Sequence, residues 1–296
     1  DIGYASEEEI EGKTGWLGRY FDAQCAGENN FVAAYYGDSP LAMRGVAFSG
    51  TSIADIGKEP FGFMKLRKDF AQTNVFKMLQ EKDPANTSGK NSKASFLRNV
   101  ASDTQKASDD MRRYLADTTS YNNYPNTNLG KQFKTISEFI LRGSSTRVYL
   151  ARIGGFDTHS NQSSGHARLW KEINEALEAF MKQMGEAKLD EKVAVMTFSE
   201  FGRQVKENGT KGTDHGSAAP MFIMGGGVKP GIHGNAPFLK KSEITSFGGL
   251  AYETDFRQVY RSIIEQYLEA PSEGIIADTH QPLALFKGAY VPEVKK

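Results

Sequence analysis

Short apolar runs alternate with helical segments along the second half of the chain, and this alternation constrains the fold more than any other feature. Residues 147–153 (RVYLARI) and 193–198 are β-rich runs of strand length. The run 193–198 is apolar on both faces, which is typical of a buried parallel strand. Between the two runs, apolar residues recur every three or four positions over 166–187, as on one face of a helix. The pattern predicts an α/β fold with a mostly parallel central sheet flanked by helices.

Three further segments extend this pattern. Phe133, Ile136 and Ile140 mark a helix face before the first strand. Residues 220–224 predict another strand, which ends at a run of three glycines. Thr254 is the predicted N-cap of a last helix, whose apolar face comprises Phe256, Val259, Tyr260, Ile263, Ile264 and Tyr267.

A polar stretch interrupts the chain before these elements. Residues 80–130 are rich in Asn, Ser, Asp and Lys and contain the breakers Pro84 and Pro125. Within this stretch, residues 95–117 predict an exposed helix. No internal repeat is visible, which argues against a solenoid or propeller. We therefore predict a single domain over residues 1–296 that includes 80–130 as a surface excursion.

Charge and composition exclude several classes of function. The chain carries 36 basic and 36 acidic side chains, so it lacks the positive surplus that favours nucleic acid as the main partner. Its apolar runs are far shorter than the roughly 20 residues that span a bilayer, so we predict no membrane span. Cys25 is the only cysteine, which excludes an internal disulfide and a thiolate zinc cluster. Any bound metal must therefore be held by His, Asp or Glu.

Polar residues with metal-binding chemistry follow two of the predicted strands. GGFDTH at 154–159 comes after one strand, and FSEFGR at 198–203 comes after the next. Ligands of an open parallel sheet bind at the carboxyl edge of its strands. Asp157 and His159 would offer one oxygen and one imidazole there, a donor set suited to zinc or manganese.

A second carboxylate and imidazole stand side by side at Asp214 and His215. Neighbouring side chains of an extended segment point in opposite directions, so two ions about 4 Å apart would accommodate both better than one ion. The sequence thus predicts a binuclear site, with His233 as a further ligand. Arg203 is a candidate for holding an anionic substrate oxygen, and Glu200 is a candidate ligand or base.

Each of these residues also has a structural interpretation. Asp157 could cap nearby backbone amides in a turn. Asp214 and His215 could form a surface ion pair, and Glu200 and Arg203 could pair with each other.

Two other histidines carry weaker signals. His166 lies at the predicted start of a helix, where a capping or solvated role is commoner than metal binding. Asp278-Thr279-His280 repeats the Asp-x-His pattern near the C-terminus. No strong strand precedes that copy, so we interpret it as a polar loop.

Several motifs taken together are more specific than any one of them. They are TGWLGRYFDA at 14–23, GGFDTHSNQ at 154–162, FSEFGRQVKENGTKGTDHG at 198–216, PMFIMGGGVKPGIHG at 220–234 and TDFRQVY at 254–260. Together these motifs resemble the bacterial DUF1501 family, a branch of the alkaline phosphatase-like superfamily. The resemblance implies a mostly parallel central sheet and a two-metal site.

The resemblance also implies roles for individual residues. Asp157 and His159 are similar to a pair that binds one metal, and Asp214-His215 resembles the Asp-His of the superfamily's sheet edge. His233 matches a later superfamily histidine by spacing. Similar proteins begin with a leader and an upstream strand that carries the nucleophile, so the resemblance implies an N-terminally incomplete domain with an unknown nucleophile and a periplasmic or secreted location.

Two functions follow from the resemblance. The first is a metal-dependent hydrolase of phosphate or sulfate esters, acting on a small molecule or a polymer. The second is a non-catalytic envelope protein that keeps the fold for binding or assembly, since fold does not fix function. No feature of the sequence indicates an oligomeric state.

Overall fold

Four α-helices and seven short strands form the regular structure of the described residues. The computed structural model describes residues 14–25, 33–48, 50–53, 123–235, 244, 248–277 and 279–288. The helices are α1 (Trp16–Gln24), α2 (Asn128–Leu141), α3 (Gln162–Glu186) and α4 (Phe256–Ser262), which continues as a π-helix over Ile263–Tyr267. The strands are β1 (Ala33–Tyr35), β2 (Thr51–Ser52), β3 (Val148–Leu150), β4 (Val195–Met196), β5 (Gly202–Arg203), β6 (His215–Gly216) and β7 (Ile223–Met224). Short 3₁₀ turns occur at Leu41–Met43 and Asp190–Lys192.

Three of the strands form a small parallel sheet in the order β2-β1-β3. Ala34 of the central strand lies opposite Thr51 on one side and Tyr149 on the other. Every residue of β1 is buried, as expected for a central strand of a parallel sheet covered on both faces. The predicted mixture of helices with a parallel sheet is therefore confirmed at this coarse level.

The predicted strand at 193–198 differs from the expectation. Only Val195 and Met196 pair, and they pair antiparallel with β7, not within the parallel sheet. Residues 193–197 are half-buried and Phe198 is exposed. An apolar run indicates a strand but not the direction in which it pairs. The prediction of a buried parallel strand is therefore wrong here, because the strand is half-buried and antiparallel.

Helices α2 and α3 share one hydrophobic core. The rings of Phe133 and Phe180 lie 5.1 Å apart between them, and the predicted α2 face is confirmed because Phe133 and Ile136 are buried. The predicted helix over 166–187 is also confirmed, although it begins earlier, at Gln162. Helix α3 begins directly after the segment that follows β3. His166 of this helix contacts the Thr158 hydroxyl of that segment.

A second core joins α1 to the C-terminal part of the chain. The rings of Trp16 and Tyr260 stack with their centroids 4.3 Å apart, and both side chains are buried. Arg19 adds a hydrogen bond from Nη2 to the carbonyl of Ile275 at 2.8 Å. These contacts hold helix α1 against helix α4 and the segment that follows it.

The start of α4 corrects one predicted cap. Asp255, not Thr254, is the N-cap, and its carboxylate accepts from the Arg257 amide at 2.8 Å. Gln258 completes a capping box by accepting from the Asp255 amide. Both residues precede the apolar run and both are good caps, so the sequence could not separate them.

Two predictions concern residues that lie wholly or mostly outside the described ranges. The predicted helix at 95–117 lies outside the described residues, as does most of the polar stretch 80–130. The last residues of that stretch, 128–130, begin helix α2. Among the helices of the described ranges, none is both long and apolar enough to cross a bilayer.

Thr127 caps helix α2, and its removal gives a modest stability prediction. The Thr127 hydroxyl accepts a hydrogen bond from the Gly130 amide at 3.1 Å. We expect Thr127→Ala to lower the free energy of unfolding by about 1 kcal/mol, since it leaves a helix-terminal amide without that acceptor. Urea unfolding measures this change. Thr127→Ser keeps the hydroxyl and should retain most of the stability; an equal loss in both variants would contradict a capping role.

Candidate metal centre

Two distant segments meet beyond the end of strand β3: residues 154–161 and the β5–β6 hairpin. The Thr213 amide donates to the carbonyl of Thr158 at 3.3 Å, and the Gln162 amide donates to the carbonyl of Lys211 at 2.9 Å. These backbone bonds hold the hairpin against the segment after β3. Side chains from both segments are thereby brought to one place.

The side chain of Asn208 organises the hairpin loop around His159. Its amide nitrogen donates to the His159 carbonyl at 3.0 Å, and its oxygen accepts from the backbone amides of Thr210 and Gly212, each at 3.0 Å. The Thr210 hydroxyl also donates to the His159 carbonyl. Gly212 is buried against the same backbone, where a Cβ would lie 2.2 Å from the carbonyl carbon of His159.

Asp157, His159 and His215 converge on a common point. Asp157 Oδ1 lies 3.0 Å from His159 Nε2 and 2.8 Å from His215 Nε2. One ligand atom from each residue lies within 4.8 Å of the others. The three side chains are about half exposed, with 57%, 51% and 48% of their surfaces accessible. The group therefore has one face that is open to solvent.

Asp214 lies on the other side of the His159 ring. Its Oδ1 atom is 3.0 Å from His159 Nδ1, whereas Asp157 faces the Nε2 atom of the same ring. The Asn208 amide also reaches Asp214 Oδ1, at 3.5 Å. The structure thus brings together all four residues Asp157, His159, Asp214 and His215, with the two carboxylates on opposite sides of one imidazole.

Arg203 borders the group through the carboxylate of Asp157. Its Nη1 atom donates to Asp157 Oδ1 at 3.2 Å. Its Nε atom donates to the Thr213 hydroxyl at 3.0 Å, and Nη2 donates to the Thr213 carbonyl. The side chain is only 15% exposed, so these bonds fix the guanidinium. Within the described residues Arg203 pairs with Asp157 and not with Glu200, which is exposed between β4 and β5.

Both carboxylates are held in their ionised form by their neighbours. The hydrogen bond from His215 is the main reason that the pKa of Asp157 lies below its ordinary value, and Arg203 and the charge of His159 act in the same direction. The hydrogen bond from His159 lowers the pKa of Asp214, with a smaller effect from Asn208. Both aspartates therefore remain negative at neutral pH and at mildly acidic pH.

An aromatic ring fixes the second imidazole of the group. Phe201 stacks on His215 with ring centroids 3.8 Å apart and planes at 6°. The His159 and His215 rings lie 5.1 Å apart. Arg203 and His215 are direct partners in the β5–β6 pairing, so the short hairpin positions the guanidinium and the imidazole together.

The donor set fits a divalent metal ion. Two histidine nitrogens and a carboxylate oxygen are common zinc ligands, and catalytic zinc sites have three protein ligands with one open position. Ligand atoms at about 2.1 Å from a tetrahedral ion are about 3.4 Å apart. The distances of 2.8 and 3.0 Å from Asp157 to the two imidazoles need to lengthen by only about half an ångström to reach that separation.

The remaining histidines are not members of this group. His233 is exposed, and its Nε2 atom lies 3.1 Å from the carbonyl of Lys229. His166 lies within α3, not at its start, and its Nε2 atom is 2.9 Å from the Thr158 hydroxyl. Asp278 is outside the described residues, and the backbone amide of His280 closes a turn with Ala277. None of these histidines belongs to the three-residue group found among the described residues.

Three supporting residues carried no metal-binding signal in the sequence. Asn208 was recognisable only as the first residue of an Asn-Gly turn dipeptide. Thr213 and Phe201 flank the predicted ligands, but their contacts with Arg203 and His215 depend on the hairpin. A two-residue strand is too short for a periodicity signal, so the hairpin itself was not predicted.

A protein-family model covers most of the chain. The family model described as "Protein of unknown function (DUF1501)" matches residues 11–246. The match spans more than half of the chain and includes all the metal and catalytic candidates, from Asp157 to His233. No curated protein and no solved structure matches the chain.

Proposed function

Since the chain belongs to DUF1501, a family of unknown function, we propose a function from the chemistry of its own site: metal-dependent hydrolysis of phosphate or sulfate esters. One observation carries the proposal. Ligand atoms of Asp157, His159 and His215 lie within 4.8 Å of one another, and a nearly buried guanidinium, that of Arg203, contacts the same carboxylate. A cation site beside a fixed arginine suits an anionic ester.

The proposed roles divide between ion binding and substrate binding. Asp157, His159 and His215 would hold a zinc or manganese ion, which would act as a Lewis acid toward the ester oxygens. Arg203 has five N–H donors, and three of its nitrogens make the contacts with Asp157 and Thr213. Its remaining donor capacity would bind a second oxygen of the phosphate or sulfate group. The open side of the three ligands gives the ester access.

Two parts of the predicted mechanism go beyond the three ligands and Arg203: the number of ions and the identity of the nucleophile. The sequence predicts two ions with His233 as a further ligand, whereas the described residues contain one group of three possible ligands. No nucleophile is assigned. Glu200 stays a predicted base or ligand: it is exposed, and among the described residues no hydrogen bond or ion pair joins it to the three ligands.

Two broader predictions accompany this function. We propose that the parallel sheet β2-β1-β3 belongs to an alkaline phosphatase-like architecture, because the ligand-bearing segment 154–161 follows the carboxyl end of one of its strands, where such sheets bind ligands. We also propose a periplasmic or secreted location, on the basis of the motifs shared with similar proteins. The ester remains open between small molecules and polymers.

Turnover that depends on the metal is the direct test. We expect the full-length protein, loaded with zinc or manganese, to hydrolyse an aryl phosphate or an aryl sulfate such as the p-nitrophenyl ester. Chelation should abolish turnover and re-addition of the ion should restore it, because the ion supplies the Lewis acid. Release of nitrophenolate measures the rate, and elemental analysis measures the metal content.

A charge-matched control separates the site from general effects of charge. Glu207 is an exposed carboxylate in the β5–β6 hairpin loop, and Glu207→Gln should keep both the metal and the rate. Activity that survives complete removal of metal would contradict the proposal. Full metal occupancy without turnover of any phosphate or sulfate ester would instead indicate the second function, a metal-containing binding or assembly protein.

A further inference from the structure

We infer that Asp214 is a positioning residue that orients His159 and is not itself a ligand of the metal ion. The inference rests on the proposed metal site and changes its composition. It assigns three direct ligands to the site and places the Asp214 carboxylate behind one of them. It therefore departs from the sequence-based expectation that Asp214 and His215 each hold an ion.

The two nitrogens of the His159 ring face different carboxylates. Nε2 lies 3.0 Å from Asp157 Oδ1, on the side of His215. Nδ1 lies 3.0 Å from Asp214 Oδ1, on the opposite side. A neutral imidazole that donates its Nδ1 proton to Asp214 has its lone pair at Nε2. The lone pair is then directed to the point at which Asp157 and His215 also converge.

This arrangement matches a known way of supporting metal-binding histidines. A histidine ligand usually donates its other N–H group to a carboxylate or carbonyl, which fixes the tautomer and the ring orientation. Asp214 is in the position of that acceptor. For Asp214 to bind the same ion as Nε2, it would have to leave the far side of the ring and lose its hydrogen bond from Nδ1.

The Asp214 carboxylate is itself held in place. The backbone carbonyl of Asp214 accepts a hydrogen bond from the Gln204 backbone amide at 2.9 Å, and this bond anchors the residue in the hairpin. The Asn208 amide reaches its carboxylate at 3.5 Å and the carbonyl of His159 at 3.0 Å. Backbone and side chain of His159 are thus oriented by the same loop.

The other imidazole is oriented by different means. Phe201 stacks on the His215 ring with the planes at 6°, and this stacking restricts the ring. His215 Nε2 contacts Asp157, but among the described residues a second carboxylate on the opposite side of the ring is found only at His159. Loss of Asp214 should weaken one ligand and leave Asp157 and His215 in place.

Cobalt(II) titration of the full-length protein tests the inference, with visible absorption reporting the ligand geometry. We expect one ion per chain. Asp214→Ala should lower the affinity by about 10- to 100-fold, the usual effect of removing such a carboxylate, with the absorption bands of the saturated site retained. Asp214→Asn keeps an oxygen that can accept the Nδ1 proton, so it should recover most of the affinity. Asp157→Asn is the reference for loss of a direct ligand.

The outcomes separate this inference from the proposed function. If Asp214→Asn is as weak as Asp157→Asn and its absorption bands change in the same way, Asp214 is a ligand and only the inference fails. Two ions per chain, with one lost in Asp214→Ala, would also overturn it. If the unsubstituted protein binds neither cobalt nor zinc, the proposed function fails and the inference falls with it. Equal melting temperatures of the variants without metal would exclude unfolding as the cause.

Discussion

Replacing Asp157 with alanine is expected to abolish metal-dependent hydrolysis. Asp157 Oδ1 is the atom shared by His159, His215 and Arg203, at 3.0, 2.8 and 3.2 Å. Its removal takes away the only oxygen of the three-residue group and leaves two imidazoles beside a guanidinium. We therefore expect the metal affinity to fall by more than the roughly 100-fold upper range for loss of a supporting carboxylate.

Isothermal titration with zinc and the nitrophenyl ester assay measure the two losses. Glu207→Gln again serves as the matched control, because it removes one negative charge from an exposed position of the β5–β6 hairpin loop and should change neither quantity. Retention of tight zinc binding by Asp157→Ala would show that the ion lies elsewhere, and the proposed site would have to be abandoned.

Gly212→Ala is expected to disrupt the same site from the backbone. A Cβ at this position would lie 2.2 Å from the carbonyl carbon of His159 and 2.4 Å from its oxygen. Both are backbone atoms, so either the hairpin loop or the ligand segment must move. We expect a loss of about 1–3 kcal/mol in the free energy of unfolding, as for other overpacked positions, together with weaker metal binding.

Gly209 provides the matched control in the same loop. A Cβ there would meet no atom within 4 Å among the described contacts, so Gly209→Ala should change stability by no more than about 0.5 kcal/mol. Chemical unfolding and metal titration of both variants measure the difference. If Gly212→Ala is as stable as Gly209→Ala and binds metal normally, the loop does not hold His159 in the way described.

The sequence predicted that Asp157, His159, Asp214 and His215 would meet, but not how they would be arranged, and His233, which was predicted with them, is not part of the group. Asp157 and Asp214 were recognisable because a histidine follows each within two positions, and the first of these pairs follows a strand. Which nitrogen of His159 faces which carboxylate depends on the fold of the hairpin. Adjacency along the chain contains no information about this, so two ions were predicted where the described geometry supports one.

The same distinction applies to the fold. The periodicity of α3 was readable because 25 residues repeat one helical face. The pairing of Val195–Met196 with Ile223–Met224 involves two residues on each strand. Such a pair has no periodicity, and its antiparallel direction is set by the path of the chain between the strands, so it could not be read from the apolar run.

The separation of the ligands along the chain has a consequence for the resistance of the protein to proteolysis. Asp157 and His215 are 58 positions apart, so an ion bound by both would cross-link two remote segments in the manner of a disulfide. Binding that favours the folded state opposes its opening. Depletion of the ion would therefore expose this region to proteases, and the abundance of the protein would follow the metal supply of its surroundings.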